Sequence, residues 1–299
     1  MHTFAPRIYG LVYASITLLL AGVARAVEPL ELPLWSDHPP GMIENATPGA
    51  DDGTGRWRNV GIPGMLVYLP DTAPPAGGRM AIIACPGGGY THLTRLVGAD
   101  GAVDAFLPRN VAIIALKSRV RPPSTDVETD ARADGQRAVR LVRHHAAAWG
   151  INPRRVGMVG WSAGANLALN VASRHDAGAP GATDPVERQS SRPDFVILLS
   201  PWPNKKDASD YPIPADAPPA FIASAEDDKT APASFARGIA ANYVLAGAPH
   251  ELWVVPVGGH GAFTIGTSGE GGQWIDRFIP WISSTASPSL ETDSANHPK

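Results

Sequence analysis

Hydrophobic residues in this chain fall in short unbroken runs, with polar and small residues between them. "MAIIAC" (Met80 to Cys85), "VAIIAL" (Val111 to Leu116) and "RVGMVG" (Arg155 to Gly160) come first; "FVILLS" (Phe195 to Ser200), "AFIASA" (Ala220 to Ala225) and "LWVVPV" (Leu252 to Val257) follow. None alternates cleanly, so each reads as a strand buried on both faces. "GMLVYLP" (Gly64 to Pro70) reads as an earlier strand closed by a proline. The stretches between have helical spacing. Thr125 and Glu128 stand at capping-box spacing before a stripe of Ala131, Ala138, Leu141, Val142 and Ala146, and Gly150 suits a left-handed helix end. Further helices are expected over about Ala163 to Arg174, Pro232 to Leu245 and Gln273 to Ser283. Strands alternating with helices predict an α/β fold, with a mostly parallel central sheet and helices on both faces. Residues 27–60, rich in Pro, Gly, Asp and Asn, read as an irregular surface segment.

The first 26 residues have a different pattern. His2 and Arg7 precede an apolar stretch from Ile8 to Val23, and Ala24-Arg25-Ala26 follows. This is the layout of a secretory signal peptide with a small-residue cleavage site; an uncleaved anchor is the alternative. The expected organisation is a signal peptide over 1–26, one domain over 27–283 and a polar, disordered tail over 284–299. The mature chain is expected to be secreted or periplasmic, without stable membrane association. The 299 residues carry a net charge of -3, which gives no reason to expect nucleic acid as a partner. Cys85 is the one cysteine, so no internal disulfide is possible, and it reads as a small buried hydrophobe.

The chemistry concentrates in four loops. "VGWSAGANLAL" places Ser162 between Gly160 and Gly164, after a strand and before a helix. In that context Gly-x-Ser-x-Gly marks a sharp turn that lifts a serine clear of the sheet. A hydroxyl needs a base, and His260 in "VPVGGHGAF" follows the last strand inside a glycine frame. The orienting acid is expected between them in chain order. "SAEDDKTAP" offers Glu226, Asp227 and Asp228; Asp228 is favoured because Pro232 and a helix follow, with Asp227 next. "CPGGGY" supplies glycines whose bare N–H groups can meet an oxyanion: Gly88 and Gly89, joined by Ala163 after the serine. No Gly-Lys-Ser/Thr follows those glycines, which disfavours a phosphate loop. All four loops follow strands, at the edge where ligands of parallel sheets bind. Tyr90, Trp161 and Trp202 lie on or beside these loops and are candidate contacts to a sugar ring; plain packing is the competing role.

With these residues in hand, the chain resembles the α/β-hydrolase superfamily, and more narrowly the bacterial esterases related to hormone-sensitive lipases and acetylxylan esterases. The likeness rests on "LPLWSDHPPG", "CPGGGYTHLT", "DGQRAVRLVRHHAAAWGINPRRVGMVGWSAGANLAL", "SAEDDKTAP" and "GGHGAF", and spans roughly residues 30 to 282. It implies a triad of Ser162, Asp228 and His260, an oxyanion hole of Gly88, Gly89 and Ala163, and no metal or other cofactor. It also implies short acyl esters as substrates, such as acetylated xylan. Two departures bear on the substrate. Pro86 stands where many relatives have histidine, and Lys117-Ser118-Arg119 where many have Tyr-Arg. A general carboxylesterase acting on small-molecule esters is the rival within the enzyme class. A catalytically dead binding protein is the rival outside it.

Overall fold

The computed structural model describes residues 28–285. The expected signal peptide lies outside them, as do residues 286–299 of the expected tail. Among the described residues there are eleven strands: β1 (Leu30–Pro33), β2 (Ala50–Asp51), β3 (Arg56–Arg58), β4 (Gly64–Tyr68), β5 (Arg79–Cys85), β6 (Leu93–Thr94), β7 (Ala112–Lys117), β8 (Ile151–Trp161), β9 (Val196–Leu199), β10 (Ala220–Ala225) and β11 (His250–Val255). The α-helices are α1 (Gly101–Phe106), α2 (Val127–His145), α3 (Ala163–Ser173), α4 (Ala233–Ala246) and α5 (Trp274–Thr285).

Eight strands form the central sheet in the order β1-β4-β7-β5-β8-β9-β10-β11. The pairs from β7 through β11 are parallel, while β4 is antiparallel to both its neighbours and alone runs against the rest. Side chains alternate between two cores. In β5, Ala81, Ile83 and Cys85 join the core covered by α2, α3 and α4, while Met80, Ile82 and Ala84 join the one covered by α1 and α5. That double covering is why "MAIIAC" has no polar positions. Burial also pushes the Cys85 thiol well above its ordinary value, leaving it unreactive.

Several details differ from the sequence-based expectation. The irregular lead-in contains β1, which extends the main sheet, and β2 and β3, which form a small sheet with β6. The last strand is an edge strand, half-buried over most of its length, and starts at His250 rather than Leu252. The capping box does not form. Asp126 is the N-cap of α2 without a side-chain cap bond, and the Glu128 carboxylate accepts bonds from Asn204 and Lys206 instead. The helix α5 runs through Thr285, two positions beyond the expected Ser283.

Arg119 anchors the lead-in to this scaffold. It is fully buried, meets Asp134 through Nε at 3.0 Å and Nη2 at 2.9 Å, and donates to the Pro40 carbonyl at 2.5 Å. Asp134 is equally buried and also accepts from the Trp35 indole at 3.3 Å. Bidentate geometry of this kind offsets part of the desolvation, and burial still holds the Asp134 carboxyl above its ordinary value.

Candidate active site

Because β5, β8, β10 and β11 are parallel, their carboxyl ends share one edge of the sheet, and the four loops of interest leave from there. Ser162 sits between β8 and α3 with φ 58° and ψ -121°, a conformation that costs a non-glycine residue energy and so calls for a surrounding structure that enforces it. Its N–H bonds the Leu199 carbonyl at 2.9 Å, and its carbonyl accepts from Asn166 N–H at 3.1 Å. The flanking glycines are sterically required. A Cβ on Gly160 would strike the Gly164 carbonyl, and one on Gly164 would strike the Cys85 carbonyl. The chain can turn this sharply only where both neighbours lack side chains.

The structure brings Ser162, His260 and Asp228 into one line. His260 Nε2 lies 2.9 Å from Ser162 Oγ, and His260 Nδ1 lies 2.8 Å from Asp228 Oδ2. The Asp228 side chain is wholly buried, and its Oδ1 accepts from the N–H groups of Thr230 and Ala231, both at 2.8 Å. A carboxylate only accepts, so Nδ1 carries the proton and the Nε2 lone pair faces the hydroxyl. Asp227, the alternative acid, is exposed and does not reach the imidazole; its oxygens accept from Gly258 and Gly259.

The glycine loop after β5 lies against this line. A Cβ on Gly87 would come 2.8 Å from the Trp161 carbonyl and 3.2 Å from Ser162 Cβ, so this glycine allows the loop to approach the serine. Gly88 and Gly89 follow with φ 127° and 59°. Among the described residues, the N–H groups of Gly88, Gly89 and Ala163 have no hydrogen-bond partner. Three N–H groups without partners, on the loop packed against Ser162 and on the residue after it, form an arrangement that could meet a developing oxyanion.

The aromatic candidates divide. Tyr90 is only 3% exposed, which removes it from contact with a sugar: its positive φ of 59° turns the ring inward, and its hydroxyl donates to Asn166 Oδ1 at 3.0 Å. Trp161 is half-buried, with its ring centroid 5.0 Å from that of His260 and its indole N–H donating to the His260 carbonyl at 3.2 Å. Trp202 is half-buried and bonds the Ser162 carbonyl through its N–H at 3.3 Å, its ring 6.4 Å from that of Tyr90.

Asn166 is a contributor that sequence reasoning overlooked. It is fully buried on α3, and its amide N–H₂ donates to the Trp202 carbonyl at 2.9 Å and to the Tyr211 hydroxyl at 2.7 Å. Through Tyr90 it ties the glycine loop to the helix that begins at the serine. Burial raises the Tyr90 hydroxyl and pushes that of Tyr211 to about 12, so both stay protonated. The available signal is a pair of asparagines four positions apart, Asn166 and Asn170, in an otherwise small and apolar helix.

Comparison with known proteins follows the same outline. A family model described as alpha/beta hydrolase fold matches residues 122–226. An acetylxylan esterase of Xylanibacter ruminicola is 29% identical over 232 residues, 68% of this chain and 44% of that protein, so the chain spans less than half the length of this curated relative. Among solved structures, an acetyl ester-xyloside bifunctional hydrolase from Caldicellulosiruptor lactoaceticus superposes with a TM-score of 0.70 at 26% identity, covering 88% of this chain and 98% of that one. Esterase 2 of Thermogutta terrifontis, solved phosphorylated by paraoxon, matches with a TM-score of 0.60 at 26% identity over 74% of this chain and 89% of that one.

Proposed function

We propose that this chain, which has the α/β-hydrolase fold, is a serine esterase that removes short acyl groups, acetyl above all, from xylan or a related carbohydrate. One observation carries this reading: Ser162, His260 and Asp228 are joined by contacts of 2.9 Å and 2.8 Å beside three unpaired N–H groups. In the proposed reaction Ser162 Oγ attacks the ester carbonyl as His260 Nε2 takes its proton. Asp228 holds the tautomer and stabilises the imidazolium. The tetrahedral oxyanion is met by Gly88, Gly89 and Ala163, each donor worth ~3 kcal/mol of barrier. His260 then protonates the leaving alcohol. Water, deprotonated by the same imidazole, attacks the acyl-serine; the tetrahedral adduct collapses, and the carboxylic acid leaves as Ser162 regains its proton.

The carbohydrate substrate is supported by the names of two relatives, an acetylxylan esterase and an acetyl ester-xyloside hydrolase. The signal-peptide pattern of residues 1–26 supports a secreted or periplasmic location, which fits a polymer that cannot enter a cell. A specific observation favours the second reading, a general carboxylesterase for small esters. Tyr90 is buried and Trp161 is engaged with His260, so only Trp202 retains the role of sugar platform. Comparing the parent with Ser162→Ala on p-nitrophenyl acetate, a longer-chain ester and acetylated xylan tests both. Acetate release from xylan that depends on Ser162 supports the first reading. Turnover of small esters alone supports the second, and turnover unaffected by the substitution rejects the mechanism.

A further inference from the structure

Asp227 and Asp228 are neighbours in sequence that grip one loop at two different places. Asp228 is buried and receives the imidazole N–H at 2.8 Å. Asp227 is exposed, and its carboxylate spans two successive main-chain N–H groups, Gly259 at 2.7 Å and Gly258 at 3.2 Å. These are the two residues immediately before His260. Gly258 has φ 136° and Gly259 φ 57°, so both adopt backbone conformations that glycine alone takes up readily. The Asp227 carboxylate takes both of these successive N–H groups at once, and its charge strengthens each bond. A Cβ on Gly258 would meet Ala262 Cβ at 2.8 Å, whereas Gly259 borders open space, so sterics alone constrain only one of the two.

Paired glycines are the most flexible backbone available, and the imidazole they precede must reach Ser162 within hydrogen-bond range. Trp161 fixes the loop from the far side by donating to the His260 carbonyl at 3.2 Å. The near side, at residues 258 and 259, is held by Asp227. We propose that Asp227 is a positioning residue: its carboxylate pins the two glycines so that His260 is presented to Ser162 in reactive geometry. The role rests on the reading of His260 as general base. Asp227 touches neither the imidazole nor the serine, and it acts through the backbone. The two N–H contacts also hold its carboxyl below the ordinary carboxylate value, as expected of an anion that is bound rather than merely solvated.

The experiment uses the full chain with Asp227→Ala and Asp227→Asn, and reads kcat and KM on p-nitrophenyl acetate together with amide exchange of the segment around residues 256–262. Misplaced reactive groups cost rate rather than binding, so Asp227→Ala is expected to lower kcat by roughly 10- to 100-fold with KM within about twofold of the parent. Exchange of the segment is expected to rise. Asp227→Asn keeps one acceptor oxygen and is expected to fall between the two in both readouts. Parental kcat in Asp227→Ala overturns the proposal, as does a loss of kcat without faster exchange. The esterase reading fails separately, if the parent shows no turnover that depends on Ser162; the exchange comparison still reports whether Asp227 holds the loop.

Discussion

The indole N–H of Trp161 donates to the main-chain carbonyl of His260 at 3.2 Å, so the residue preceding Ser162, the proposed nucleophile, restrains the loop that carries His260, the proposed base. The two are 99 positions apart in the chain. This bond accounts for a bulky tryptophan in a frame otherwise made of small residues. Trp161→Phe retains most of the ring and loses the donor. A net hydrogen bond of about 1 kcal/mol corresponds to roughly fivefold in rate. We expect kcat to fall by that order with KM little changed, checked by steady-state kinetics on p-nitrophenyl acetate. An unchanged kcat would leave the bond without a role.

Glycine substitutions around the site separate catalysis from folding. A Cβ on Gly88 would meet the His92 carbonyl at a φ of 127°, so Gly88→Ala must shift the donor loop. If Gly88 is an oxyanion donor as proposed, the expected loss in kcat is ~10²- to 10³-fold, the cost of one misplaced donor, with the fold retained. Gly164→Ala places its methyl against the Cys85 carbonyl inside the sheet-to-helix junction and is expected to prevent soluble folding. Circular dichroism and kinetics on both variants distinguish the two outcomes.

The Arg119–Asp134 pair supports the scaffold beneath the site. Both side chains have zero exposure, and removing one partner strands a charge. Arg119 also pairs with Asp130 at 3.2 Å. Arg119→Met is expected to cost about 3–5 kcal/mol in a denaturant titration, and replacing Arg119, Asp134 and Asp130 together with apolar residues is expected to recover much of that. A loss below about 1 kcal/mol would mean that water or a proton reaches the carboxylates of Asp134 and Asp130.

His175 gives stability a pH dependence. Its side chain is 6% exposed, Nε2 has no hydrogen-bond partner, and the nearest acid, Asp216, lies at 3.7 Å. Burial holds the imidazole below its ordinary value of 6.5, with the carboxylates of Asp216 and Asp176 opposing part of that effect. The unfolded chain therefore takes up this proton first as pH falls. The stability contributed by His175 is complete above pH 6.5 and is lost as pH drops from there through the lowered folded value. His175→Gln is expected to flatten the unfolding free energy against pH over that window; an unchanged slope would show that other histidines dominate.

Much of this architecture was legible from the residues. The buried strands stood out because both faces are covered, and Ser162 and His260 because their loops need glycines that packing alone would not place together. The choice between Asp227 and Asp228 was harder. Adjacent acids share one local sequence, and only the fold decides which is buried against the imidazole. Tyr90 was misplaced for a related reason: a positive φ after three glycines reverses an aromatic that would otherwise face the cleft. β1 escaped notice because "LELP" is largely exposed, and β2, β3 and β6 because such short strands owe their existence to partners distant in sequence. Glu128 had the spacing of a cap, but it is engaged by Asn204 and Lys206 from a loop 76 and 78 positions away.

The central claim is that Ser162 becomes covalently acylated with His260 as its base. It is tested most directly by treating the protein with paraoxon, which phosphorylates activated serines, and mapping the adduct by peptide mass spectrometry. The account predicts a single stoichiometric adduct on the peptide containing Ser162, absent from Ser162→Ala and strongly slowed in His260→Ala. Ester hydrolysis that persists with Ser162 unmodified, or an adduct on another serine that abolishes activity, would contradict it.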